Sequence, residues 1–187
     1  MQVVEPHKER LFRIGASPFA KLQAEYPNLA IHSDRTCANI MYDLMVDYAR
    51  IEFRGVRDTR IVDLPYGVTL LEIDDQILIR FKKLDEESLP RNYPTERNRD
   101  YYLGEDLPGI PSSPQRLTLG YRLNRFRTQV QDVLISNVLA GRLLYDIILD
   151  EPDDGIIVMP DSNPNAPDLP KPQRRVRIRG SAEQAEI

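Results

Sequence analysis

The sequence predicts an α+β fold: a mainly antiparallel sheet of about five or six strands with N-terminal helices packed on one face. Three observations predict it. One 3.6-residue apolar stripe runs over Asp34–Phe53; short runs of β-branched and apolar residues recur after it; and turn residues separate those runs at hairpin spacing. Helical signals precede the strand signals instead of alternating with them, which favours helices segregated to one side of the sheet. No internal repeat is visible.

From Leu11 to Ile31 the pattern is mixed. Ala20, Leu22, Ala24 and Tyr26 hint at a short helix that Pro27 ends, because proline disfavours helical geometry in the residue before it. Over Asp34–Phe53, Ser33 or Asp34 can cap the first free amides. Ala38, Met41, Leu44, Met45, Tyr48 and Ile51 then recur at spacings of three and four, which predicts one buried stripe. The opposite side carries Arg35, Asn39, Asp43, Asp47 and Arg50, and Gly55 suits the helix stop.

Strands follow. Ile61–Leu64 is short, and Val68–Ile73 pairs with Ile77–Phe81 across the turn Asp74-Asp75-Gln76. Leu84–Gln115 holds five prolines and is too long for an empty loop, so a short helix is expected near Thr95–Tyr102. Leu117–Leu123, Val130–Ser136 and Leu143–Leu149 read as three more strands, with turns near Asn124–Thr128 and Asn137–Arg142. The folded domain is expected over residues 1–150. Beyond it, six of the 15 prolines fall between Pro152 and Pro172, which predicts an extended acidic linker. A basic tail with Arg174, Arg175, Arg177 and Arg179 then alternates with Val176 and Ile178. That alternation fits an edge strand, a disordered arm for nucleic acid or an acidic partner, or a solvated tail.

Composition narrows the function classes. The 187 residues carry 25 Lys+Arg against 29 Asp+Glu, a net charge of -4, so the whole molecule is no basic nucleic-acid coat. No apolar run approaches the roughly 18 residues of a membrane span, and Met1–Arg13 lacks a signal-peptide pattern. The sole cysteine, Cys37, excludes a disulfide framework and reads as a small core hydrophobe. The expectation is a soluble cytoplasmic protein with no membrane partner.

Motifs for chemistry are few. His7 and His32 are the only histidines and have no metal-ligand spacing; His32, just before the cap, suits a structural hydrogen bond. No GxGxxG, P-loop or GxSxG occurs. An acidic set stands out: Asp43, Asp63, Glu72 and Asp74, with Lys82 beyond the hairpin turn. Metal-dependent nucleases use such carboxylates to hold Mg²⁺ and a lysine to assist the attacking water. The element order is similar to that of PD-(D/E)xK nucleases. The motif itself is not met, since Arg80 and Phe81 stand two places before Lys82 and Lys83. Under that alternative the catalytic set is Asp43, Asp63, Glu72, Asp74 and Lys82, with Mg²⁺ as cofactor; otherwise none is expected. The Leu84–Gln115 excursion places Arg91, Arg97 and Arg99 among Tyr93, Tyr101 and Tyr102. Planar rings and guanidinium groups suit a protein interface or nucleic acid, while tyrosines can equally pin an excursion to its own domain.

Three stretches, HSDRTCANIMYDLMV, QILIRFKKLDEE with RNYPTE, and LTLGYRLN, together resemble a family of small uncharacterised bacterial proteins of mobile-element, defence or toxin–antitoxin-like cassettes. The resemblance spans roughly residues 30 to 150. It implies a setting beside helix-turn-helix regulators and proteins like zinc-protease regulators, and no catalytic motif comes with it. The leading expectation is a non-enzymatic regulatory or interaction protein acting through a protein partner. Its expected contact residues are Arg35, Asn39, Arg91, Tyr93, Arg97, Arg99, Tyr101, Tyr102, Arg174, Arg175, Arg177 and Arg179. A nucleic-acid-binding module using the excursion and tail arginines is the third reading.

Overall fold

A computed structural model describes residues 3–65, 67–90, 101–103 and 114–151. These belong to the unit Met1–Asp153; the second unit, Asp154–Ile187, lies outside the described residues. Among the described residues no helix is long and apolar enough to cross a membrane.

Among the described residues, two α-helices precede six strands. The first, α1 (Lys8–Glu25), is far longer than the short helix expected before Pro27. Its buried stripe is Leu11, Ile14, Gly15, Pro18, Phe19 and Leu22, so a glycine and a proline occupy positions where large apolar residues would have announced it. Gly15 lets the helix sit directly on the sheet: a Cβ there would lie 2.3 Å from Val133 Cγ1. The second helix, α2 (Asp34–Glu52), matches its sequence signal. Ser33 caps it by accepting a hydrogen bond from the Thr36 amide at 3.2 Å. Its buried residues are Met41, Leu44, Met45, Val46 and Ala49. Ile51, expected in that stripe, is instead exposed, because the buried line runs on through Met45, Ala49 and Phe53 and leaves Ile51 on the other side of the helix. Arg13 clamps Glu52 with two hydrogen bonds of 3.0 and 2.9 Å, and Arg10 donates to the Glu52 carbonyl, so α1 fastens the end of α2.

The strands are β1 (Thr59–Leu64), β2 (Val68–Ile73), β3 (Ile77–Lys83), β4 (Gln115–Leu123), β5 (Val130–Leu139) and β6 (Arg142–Leu149). They lie in sequence order in one sheet, antiparallel throughout except for the parallel pair β3–β4. A parallel neighbour cannot be reached by a hairpin, so the long excursion is the crossover that this pairing requires. Asp74 and Asp75 turn β2 into β3 with positive φ, a conformation that aspartate tolerates better than most residues. The β5–β6 turn is tighter than expected: only Ala140 and Gly141, both with positive φ, separate the strands, and β5 runs on to Leu139.

Alternation assigns the two faces. Leu71, Ile73, Ile77, Ile79, Phe81, Leu117, Leu119, Tyr121, Val133 and Ile135 pack with α1 and α2 in the main core. The opposite face holds a smaller cluster of Leu70, Leu78 and Tyr101, with Val62, Leu64, Val68 and Tyr102 against it. The central strands are thus buried on both faces and the middle of the second face is polar, while Leu144 and Ile148 of β6 stay exposed on that face.

Candidate functional site

Alternation along the strands disperses the acidic set. Asp43 and Asp47 are exposed on the outer side of α2, and Arg50 of the same helix reaches Asp63 with contacts of 2.7 and 2.9 Å. That pairing, with a hydrogen bond from Thr69, holds the Asp63 carboxyl below the usual carboxylate range. Glu72 is buried on the opposite face, where Arg60 donates to it. Asp74 lies in the β2–β3 turn, and Lys82 points, like Glu72, away from the helices. The sheet therefore stands between Asp63 and the pair Glu72 and Lys82. An open cleft does collect Asp58, Glu72, Asp74 and Asp75 with Arg60, but this arginine already serves Glu72. Among the described residues no three His, Cys, Asp or Glu side chains form a group that could hold a metal ion.

The second face carries an unusual concentration of donors. Row partners across the sheet are Leu70, Arg80, Thr118, Ser136 and Asp146. Arg80, Thr118 and Ser136 are all buried. The Arg80 guanidinium lies 4.8 Å from the Tyr101 ring centre and 5.8 Å from that of Tyr102, and Arg116 lies 5.5 Å from Tyr101. Tyr101 is anchored, donating to the Leu78 and Leu117 carbonyls at 3.0 and 2.8 Å, and burial pushes its phenol far above the ordinary value. Next along β3, the Lys82 amine is pushed down from 10.5 to about 8, mainly by burial and further by Arg80. Among the described residues, the Thr118 and Ser136 hydroxyls have no hydrogen-bond partner. At the far end of the row, Asp146 accepts from the Ser88 hydroxyl at 2.5 Å.

Of the expected contact residues, Arg35 and Asn39 are exposed on α2. Tyr101 is buried in the second cluster and Tyr102 packs against it, so both rings are engaged within the domain. Arg91, Tyr93, Arg97, Arg99, Arg174, Arg175, Arg177 and Arg179, together with the helix expected near 95–102 except for helical residues 101–103, lie outside the described residues. His32 packs its ring edge-on to Tyr26 at 5.7 Å, and Cys37 is half-buried.

Sequence reasoning missed the most exposed apolar side chains. Ile31 is 78% exposed, just before α2, and Phe126 is 80% exposed at the tip of the β4–β5 turn. An ion pair of Arg127 with Asp34, and a hydrogen bond of 2.8 Å from Gln23 to the Thr128 carbonyl, bring this turn against the helix layer. The tip is rigidly closed: Asn124 holds both the amide and the hydroxyl of Thr128 at 2.9 Å. The readable signal was a phenylalanine between Arg125 and Arg127 inside a turn, where nothing local buries it. No family model, no curated protein and no solved structure matches this chain.

Proposed function

We propose that this chain is a non-enzymatic interaction protein acting through a protein partner, and that the partner docks on the Ile31–Phe126 end of the molecule. The observation that carries the reading is the exposure of those two large apolar side chains, Phe126 standing in a turn that Arg127 and Gln23 tie to the helices on either side of Ile31. A rigid aromatic beside arginines is the residue chemistry that dominates interface energetics. Arg125 flanks Phe126, and Arg35 follows Asp34 into α2, so cations border the apolar residues. The similarity of three sequence stretches to proteins of bacterial mobile-element, defence or toxin–antitoxin-like cassettes supports a regulatory partner, such as a helix-turn-helix or zinc-protease-like regulator. The dispersal of Asp43, Asp63, Glu72 and Lys82 over two faces favours this reading over a nuclease.

Pull-down from the native host, with wild type and Ile31→Ser/Phe126→Ser side by side, tests it. Exposed substitutions of this kind shift stability by about 0.5 kcal/mol or less. The variant is expected to melt as wild type does and to lose the specific partner. Capture of the same partner in equal yield by the folded variant would refute the docking site.

A further inference from the structure

The second face of the sheet gathers buried hydrogen-bond donors, two of which, the Thr118 and Ser136 hydroxyls, meet no acceptor among the described residues. Arg80 and Lys82 alternate along β3, and Arg80, Thr118 and Ser136 are consecutive partners across β3, β4 and β5. Partners in neighbouring strands stand about 5 Å apart, so a group seated over Thr118 reaches both flanking residues. Arg80 is 7% exposed, Thr118 1% and Ser136 fully buried. Both hydroxyls are unpartnered. Among the described residues, Arg80 has the tyrosine rings as neighbours and no carboxylate in hydrogen-bonding contact. The nearest acids by position are engaged elsewhere: Glu72 with Arg60, and Asp146 with Ser88.

A buried guanidinium with no counter-charge among the described residues, and two buried hydroxyls with no acceptor there, each cost free energy. One species answers all of them: a small group with several acceptor oxygens and negative charge. We propose that Arg80, Lys82, Thr118 and Ser136 form a binding site for an oxyanion of the phosphate type, which lies against the second face of the sheet and enters beside Lys82. The guanidinium supplies a planar fork for two oxygens, the hydroxyls each donate to another, and the ammonium, the least buried of the four, closes the rim. The Tyr101 ring packs against the Arg80 guanidinium, which lies 4.8 Å from the ring centre. The site is independent of the Ile31–Phe126 end, so either proposal survives failure of the other.

The test uses the full chain purified in chloride without phosphate or sulfate. Inorganic phosphate is titrated at constant ionic strength while melting temperature is followed, and equilibrium dialysis with labelled phosphate gives stoichiometry. The expected result is one phosphate per chain and a saturable rise, about 5–10 °C at one hundred times the dissociation constant. Thr118→Val with Ser136→Ala removes only hydroxyls that lack partners, so it should fold, and it should weaken binding at least tenfold; Arg80→Met should abolish it. Phenyl phosphate in place of phosphate separates a site open to esters from one that takes only the free ion. A linear rise of equal slope in wild type and both variants is the generic salting effect of such anions and would overturn the proposal. So would the absence of bound label at millimolar phosphate. Should Arg80→Met fail to fold, the hydroxyl variant decides alone.

Discussion

Replacing Lys82 by methionine should stabilise the protein at neutral pH, and the gain should vanish in alkali. The amine is pushed from 10.5 down to about 8 because burial and the Arg80 guanidinium both oppose its charge. Below pH 8 the lysine is protonated whether the chain is folded or not, so the folded state bears the whole penalty. Between pH 8 and 10.5 the folded protein has released a proton that the unfolded chain still holds, and stability climbs with pH. Above 10.5 the amine is neutral in both states and the penalty is gone. At ~1.4 kcal/mol for each pH unit, the penalty reaches about 3 kcal/mol at pH 7. Methionine keeps the aliphatic stem and removes the charge.

Urea unfolding at 25 °C in phosphate-free buffer measures the difference directly. Lys82→Met minus wild type should be close to 3 kcal/mol at pH 7 and fall to about zero by pH 11. All other groups titrate alike in the two proteins, so the difference curve isolates this amine. A difference that is flat with pH, or a variant less stable at pH 7, would refute the claim that the ammonium is buried at a cost.

Gly15→Ala should destabilise by roughly 1–3 kcal/mol, since the new methyl would meet Val133 Cγ1 at 2.3 Å. Helix propensity alone would favour alanine by about 1 kcal/mol, so the sign of the effect decides whether α1 rests on β5, and Val133→Ala should rescue it. Tyr101→Phe keeps the ring but removes the donor to the Leu78 and Leu117 carbonyls, which should cost about 1–2 kcal/mol in urea unfolding; an unchanged midpoint would show that the hydroxyl anchors nothing. Millimolar Mg²⁺ or Mn²⁺ should leave the melting temperature where chloride leaves it. A saturable rise that Asp74→Ala abolishes would restore the nuclease reading.

Legibility differed by element for physical reasons. The α2 helix was readable because its apolar period, its Ser33 cap and its charged outer side all agree over five turns. Its stripe was set slightly askew: Val46 and Ala49 are buried where Ile51 was expected, because the packed line turns toward Phe53. The α1 helix was under-read because the sheet approaches so closely that a glycine and a proline occupy the buried stripe. Strands β2 and β3 were bounded almost to the residue by their turn aspartates, whereas the parallel pairing of β3 with β4 is a contact between distant segments that no local pattern encodes. At the site, the alternation of Arg80 and Lys82 with Ile79 and Phe81 was open to view, but Lys82 entered only the nuclease set and Arg80 only as a departure from its motif. The Tyr101 and Tyr102 rings that pack on Arg80 come from outside the hairpin, so its own strand pattern does not announce that burial.

That burial bears on where this molecule keeps its chemistry. A central strand covered on both faces ordinarily reads as a continuous apolar run, because every polar group it buries needs a partner. Strands β3 and β4 depart from that rule at adjacent positions: Arg80 and Lys82 on one, Thr118 beside Arg80 on the other. Valine or leucine there would extend the Leu70–Leu78 cluster and remove the lysine penalty, so a sheet selected for stability alone would carry them. Departures from local rules that lower stability concentrate at functional sites. The apolar helix-facing side explains why the domain folds, and the donor-rich side, which folding alone does not require, is the part of the architecture that calls for a ligand.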